Sequence, residues 1–425
     1  MKIPDKQLIA LGPWPKGLNT VASETAVPKD MLREAVNVDV DIYGGVSRRP
    51  GYTEVVSTSD SHSLFAWQDS LVFVEEANLV RFNPVGAQKV VLTAGINPAR
   101  YMSYTAAENK LYYTNGEQSG CVTQQWDVKP WAIANPPHQP VLTSGSTGAL
   151  PAAQYQVAIT YADATGRESG TGAAAVIAAT GSITLSDIPS PGAGYFVRVY
   201  MTPPNGDKFF AQAQLNNGVS SHTLYDFDRT KAPLETQFMR PMPPGQIVRH
   251  AFGRLWVARD NRLLFSAPLQ SGIYAPIDHY FIFRNRITVV EPLIDGIWIG
   301  TDAQTLWLSG TNPNEMAQVL IGQFGATAGS SCRQPGLLFR PEFTHEVAYW
   351  YGDRGCVLGL PGGQLQPFME GIIATNVYGL GASLYREENG LQQMITAVRN
   401  NKINSRVAAV DSAEGFVRLN GVIIQ

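Results

Sequence analysis

The residues that could do chemistry are few, and their spacing suits little of it. Asp39-x-Asp41-x-x-Gly44 opens like a calcium loop, in which oxygen ligands at alternate positions turn toward one hard cation. The later ligand positions are missing, because no Asp, Asn or Glu stands between Asp41 and Glu54. A strand followed by a turn is the expected reading. The six histidines, His62, His138, His222, His250, His279 and His345, form neither His-x-His nor His-Glu-x-x-His, so no zinc site is expected. Glu75-Glu76 and Glu387-Glu388 are adjacent carboxylates. Neighbours on a strand point to opposite faces, so neither pair makes a glycosidase dyad by itself. Gly-x-Ser-x-Gly is absent, and neither Gly145–Gly148 nor Gly166–Gly172 leads into a helix whose N-terminus could hold a phosphate. Arg48-Arg49 reads as a solvated turn before Pro50, or as a contact to a phosphate or a neighbouring subunit's carboxylate. Trp126 and Trp131 are the exposed aromatics on which a sugar could stack. The expectation is a chain with no catalytic residue, no metal and no cofactor.

The elements that would carry these residues follow from composition and pattern. Only 16% of the 425 residues are charged, while 40 Gly, 28 Pro, 17 Tyr, 17 Phe and 8 Trp favour many short strands joined by tight turns. A net charge of -3 argues neither for a basic nucleic-acid footprint nor for an acidic disordered tail. Cys121, Cys332 and Cys356 show no Cys-x-x-Cys spacing and suggest free thiols in a reducing compartment. No run of eighteen apolar residues predicts a membrane span. Met1–Ala10 lacks an apolar leader, so synthesis in the cytoplasm is expected.

One unit recurs six times. A polar turn is followed by an apolar strand at Ser70–Glu76, Lys110–Gly116, Arg254–Asp260, Ile297–Asp302, Val347–Asp353 and Leu391–Ala397. A second strand follows at Asn78–Phe82, Arg262–Ser266 and Thr305–Leu308. Asp295-Gly296 and Asn389-Gly390 are the strongest turn signals, because a type I′ turn needs positive φ at both central residues. The units start 40, 144, 43, 50 and 44 residues apart. Removing residues 138–242, which is 105 residues, reduces the long gap to 39 and makes the period regular. A period of about 40–45 residues with about four strands is the size of a propeller blade.

The expected fold is therefore all-β: a propeller of about six blades with an inserted β-sandwich. Residues 1–51 form an N-terminal arm, 52–137 the first part of the propeller, 138–242 the insert and 243–425 the second part. Pro136-Pro137 and Pro140 open the insert, and Pro241, Pro243 and Pro244 close it. Its seven or so short strands match an immunoglobulin-like or fibronectin-like sandwich. Within the arm, Pro28–Ala35 reads as one helical turn with Pro28 near its start. Phe416–Gln425 reads as a terminal hairpin sharing a blade with the segment from about Tyr52.

The N-terminal order of Gly17-Leu18-Asn19, then Leu32, Ala35 and Asn37, then Gly44-Gly45 and Arg48–Gly51, resembles the start of virion proteins of tailed bacteriophages. In particular it looks like the nozzle, hub or tail tubular B propellers of short-tailed phages. Tyr155–Ser169 with Arg198–Tyr200 resembles their inserted sandwich. Pro243–Gly245, Gly253–Val257 and Leu264–Ser266 resemble their later blades. The resemblance implies a virion tail protein, assembled in the host cytoplasm into a homo-hexameric ring. It would sit between the adaptor (the head-to-tail connector) and fibres or spikes, around a channel that retains double-stranded DNA until ejection. An acidic lumen would let DNA slide rather than stick. Gly310–Met316 and Gly322–Ser330 are the expected gating loops. The competing expectation is a carbohydrate-binding or polysaccharide-degrading propeller, since loops near a propeller axis can hold a ligand.

Overall fold

The structure, a computed structural model, describes residues 12–23, 25–41, 43–49, 51, 53–373, 379–388 and 391–400. The expected terminal hairpin at Phe416–Gln425, its partner position Tyr52 and the Asn389-Gly390 turn lie outside the described residues.

The fold is all-β. The six strands read from the sequence form at Ser70–Glu75, Lys110–Thr114, Arg254–Arg259, Gly296–Thr301, Glu346–Gly352 and Leu391–Asn400. Five of them are the second strand of a four-stranded antiparallel sheet. The first sheet runs Ser61–Trp67, Ser70–Glu75, Asn78–Asn83, Gln88–Ala94. The second runs Ser103–Ala107, Lys110–Thr114, Ser119–Thr123, Val128–Lys129. The third runs Ile247–Ala251, Arg254–Arg259, Arg262–Phe265, Tyr280–Ile282. The fourth runs Ile287–Leu293, Gly296–Thr301, Thr305–Ser309, Ala317–Gly322. The fifth runs Cys332–Pro335, Glu346–Gly352, Gly355–Gly359, Leu365–Pro367. The sixth unit is the hairpin Gly379–Glu388 and Leu391–Asn400.

The second strands stand out in the sequence because both their faces are covered. Every residue of Gly296–Thr301 and all but the first of Glu346–Gly352 are buried, which requires runs such as Ile-Trp-Ile and Tyr-Trp-Tyr instead of strict alternation. Fourth strands such as Gln88–Ala94 and Ala317–Gly322 are mostly exposed and read weakly.

Two compact units divide the chain: residues 58–282, and the two ends (to 57 and from 283) together. In the 58–282 unit the first strands of the three sheets lie side by side. Ser63 Oγ accepts from the Met102 N–H at 2.8 Å and Ser103 Oγ from the Val248 N–H at 3.1 Å. Buried Thr114 Oγ1 accepts from the Gly245 N–H at 3.1 Å and contacts its carbonyl oxygen at 2.8 Å. The second and third sheets are thus neighbours although the insert separates them in sequence. In the other unit the first strand of the fourth sheet packs on the fifth sheet, and the first strand of the fifth on the hairpin. Trp298, Trp307 and Trp350 fill the space between the fourth and fifth sheets.

The insert differs from the expected seven-stranded sandwich. It forms one five-stranded sheet in the order Phe210–Asn216, Tyr195–Met201, Val141–Asp163, Ala175–Ser186, His222–Leu224. Register shifts on either side of Leu150 bend the long strand. Leu150, Tyr155, Val157 and Ile159 then share a core with Ile183, Leu185, Val197 and Leu224. Two long strands that bend replace separate short ones, so one sheet encloses its own core.

Two local expectations also change. Pro28–Ala35 is not a helical turn. Leu32 donates to the Gly17 carbonyl (2.7 Å) and accepts from the Asn19 N–H (2.8 Å), a parallel bridge that takes up its backbone groups. The Asp295-Gly296 turn has no positive φ. Gly296 is required for close approach, since a Cβ there would sit 2.4 Å from the Trp307 ring. The paired positive φ of a type I′ turn appears instead at Glu108-Asn109 and Phe252-Gly253.

Candidate functional site

The acidic and basic residues of the arm serve one another. Val38–Val40 pairs with Val46–Arg48, which carries Arg49 back beside Asp39. Arg49 Nη2 lies 3.0 Å from Asp39 Oδ1, and Arg386 Nη2 lies 3.1 Å from Asp39 Oδ2. Burial opposes the Asp39 charge, but the hydrogen bonds and charge of Arg49 and then Arg386 outweigh it and hold the carboxyl below its usual range. Asp41 Oδ1 accepts from the Tyr43 and Gly45 N–H groups, both at 2.8 Å. The Asp39–Gly44 stretch is therefore a hairpin turn locked by its carboxylates. Arg49 meets a carboxylate of its own chain, which replaces the contact to phosphate or a neighbouring subunit. Among the described residues no group of three or more His, Cys, Asp or Glu is placed to hold a metal ion.

Other sequence candidates are dispersed. Glu75 binds Lys89 at 2.7 Å, while Glu76 occupies the following turn at φ 51°. Glu387 accepts from the Tyr385 hydroxyl, and the side chain of Glu388 is outside the described residues. His279 stacks on Phe265, and His62 meets Tyr101 edge-on. Trp126 is not an open platform: Arg81 covers it at 3.9 Å and Trp67 abuts it. Trp131 is 4% exposed, its indole N–H donating to the Met242 carbonyl at 3.0 Å. Gly322–Ser330 is not a free polar loop. Phe324, Ala326 and Ser330 are buried, and Thr327 donates to the Tyr351 carbonyl at 2.8 Å. Gly310–Met316 joins the third and fourth strands of its sheet, away from the first-strand edge.

What the structure does bring together is a cavity of about 260 Å³ within the 58–282 unit. Three turns and one wall meet there. The I′ turn of the second sheet places Glu108, followed by Lys110 and Tyr112 on the next strand. The insert contributes the turn Thr165–Glu168, and the third sheet the loop Leu269–Ser271. Trp131, Ile133 and Ile273 form the apolar side.

Glu108 takes the Ser271 hydroxyl on Oε1 at 2.8 Å and the Tyr112 hydroxyl on Oε2 at 3.1 Å. Burial and then the Glu108 charge push Tyr112 well above its usual range, so its proton stays on. Arg167 bonds Asp163 through Nε at 2.9 Å, and Asp163 itself caps the Thr165 N–H. Glu168 binds Arg198 at 2.8 Å and the Tyr200 hydroxyl at 2.7 Å. Lys110 has no ion-pair partner among the described residues.

Of these residues only Trp131 was read from the sequence as a ligand contact, and for a different exposure; Lys110–Gly116 was read as a repeat strand and Gly166–Gly172 as a loop. The rest come from segments centred near 110, 167 and 270, so no local spacing announces them.

No family model matches the chain, and no curated protein matches it. Among solved structures it is similar to BBS1N in complex with ARL6DN (10% identity, 81% of this chain and 91% of that one, TM-score 0.31). It is similar to apo AztD from Citrobacter koseri (7% identity, 76% and 72%, TM-score 0.28). It is also similar to the extracellular domain of the putative one component system BT4673 from B. thetaiotaomicron (11% identity, 80% and 37%, TM-score 0.28). None of the three is described as a virion component.

Proposed function

We propose that the six units are blades of one propeller, three from each compact unit, and that the chain is a ring-forming structural protein of a short phage tail. Two lines of support are independent. The same first-to-fourth strand meander recurs, with the first strands of the 58–282 unit side by side across the insert. Inner strands that neighbour one another in this way are the packing rule of a propeller, which protects strand edges without closing a barrel. The N-terminal order from Gly17 to Gly51 resembles tail nozzle and hub proteins, and this observation carries the tail assignment.

In this reading the chain performs no catalysis. It assembles as a homo-hexamer below the adaptor, offers outer surfaces to fibres or spikes and encloses the path of double-stranded DNA. Six copies at -3 give the ring an acidic character that disfavours DNA sticking. Any gate belongs to turns at the first-strand edge of the blades, which Gly322–Ser330 reaches by leading into Cys332–Pro335 and Gly310–Met316 does not. Gold-labelled antibody against the chain is expected to decorate the tail tip of phage particles that encode it. Labelling of the head alone, or none on intact or opened particles, would reject the assignment.

A further inference from the structure

We infer that the cavity between Glu108, Lys110, Arg167 and Gln270 is a binding site for one uncharged sugar ring. The inference stands apart from the tail reading. It rests on the cavity's charge balance, its two kinds of wall and one strained turn.

Charge comes first. Arg167 is engaged by Asp163 and Glu168 by Arg198, so neither brings unbalanced charge into the space. Glu108 and Lys110 remain, one of each sign, and they do not pair with each other. An anion would gain Lys110 but face Glu108, and a cation the reverse. A neutral polyol uses both: its hydroxyls donate to the Glu108 carboxylate and accept from the Lys110 ammonium. Gln270 adds an amide whose oxygen is buried with no donor among the described residues. A turn of that amide onto a ligand hydroxyl would satisfy it.

The opposite wall is apolar. Trp131, Ile133 and Ile273 are nearly fully buried and fixed, which suits the C–H face of a pyranose. A volume of about 260 Å³ lies just below the roughly 300 Å³ at which drug-sized sites begin, so one ring fits and a chain does not.

The rim carries the strain. Gln270 N–H closes a tight turn onto the Ala267 carbonyl at 3.3 Å. Its second central residue is Leu269, at φ 55°, where such turns favour glycine. The Leu269 side chain is 83% exposed at the cavity mouth. The Leu269 N–H is tied to the Gly253 carbonyl at 2.9 Å, which holds this exposed apolar side chain at the mouth, and strained positions of this kind cluster at ligand clamps.

Saturation-transfer NMR on the full chain with D-glucose, D-galactose, N-acetyl-D-glucosamine and D-glucuronate tests the site. At least one neutral sugar should receive saturation. The variants Lys110→Met and Glu108→Gln each remove one charge-assisted partner from a solvent-facing position. A fall in affinity of about tenfold or more in either one supports the site. Three results overturn it: no transfer to any of the four sugars, transfer to glucuronate alone, or transfer unchanged in both variants. Matching melting temperatures identify the variant that has kept its fold, and either one suffices.

Discussion

Asp39 and Arg386, 347 positions apart in the chain, meet with 3.1 Å between carboxylate and guanidinium. Arg49 holds the other oxygen of the same carboxylate, so one nearly buried anion joins the N-terminal hairpin to the sixth unit. Removing one partner of such a cluster leaves two cations without their anion. Asp39→Asn is expected to cost about 3 kcal/mol in denaturant unfolding. The same cluster sets a pH dependence. The folded Asp39 pKa is depressed, so its contribution is present above the unfolded value near 3.9 and is lost as pH falls through the lower folded value. Wild-type stability should therefore drop below about pH 4, and Asp39→Asn should flatten that part of the profile.

Thr114 and Gly245 test whether the second and third sheets are neighbours across the insert. The Thr114 hydroxyl contacts both backbone groups of Gly245, and the residue is fully buried. Thr114→Val keeps the shape and leaves those groups unsatisfied. A loss of about 2 kcal/mol is expected, read by thermal or chemical unfolding. A neutral result would mean that the two sheets do not meet there.

Trp298 and Gly359 make a comparable contact in the other unit. A Cβ on Gly359 would lie 2.5 Å from Trp298 Nε1, and that indole N–H donates to the Leu360 carbonyl at 3.1 Å. Gly359→Ala must displace a fully buried tryptophan. We expect a loss of about 2 kcal/mol with a red-shifted tryptophan emission. Unchanged emission and stability would contradict the packing.

The thiols give a chemical check. Burial pushes Cys356 up to about 11, against a smaller opposing effect of the Tyr349 hydroxyl, and burial also raises Cys121. Cys332 is only half buried. A thiol reagent at pH 8 should modify one cysteine per native chain quickly and all three after unfolding. Rapid modification of all three in the native state would show a looser core.

Much of this fold was legible in the sequence, for a physical reason. Second strands covered on both faces must be continuously apolar, so Arg254–Arg259 and Glu346–Gly352 announced themselves, and their period survived the insert. Fourth strands did not, because strands such as Ala317–Gly322 are exposed edges with little need for apolar side chains. The bent strand Val141–Asp163 was hidden by its own glycines, which read as turns where the structure uses them to bend one continuous strand. The cavity was illegible because its lining comes from segments near 110, 167 and 270 that only tertiary packing assembles. Trp131 was visible as an aromatic, but sequence does not say which face of a tryptophan is covered.

Mass photometry of the full chain, alone and mixed with the adaptor proposed as its partner, separates the proposed ring from a monomer. A closed six-copy ring, near 277 kDa as six times the 46.2 kDa chain, is expected, formed alone or added as a unit to the adaptor. A chain that stays at 46.2 kDa in both samples would contradict it.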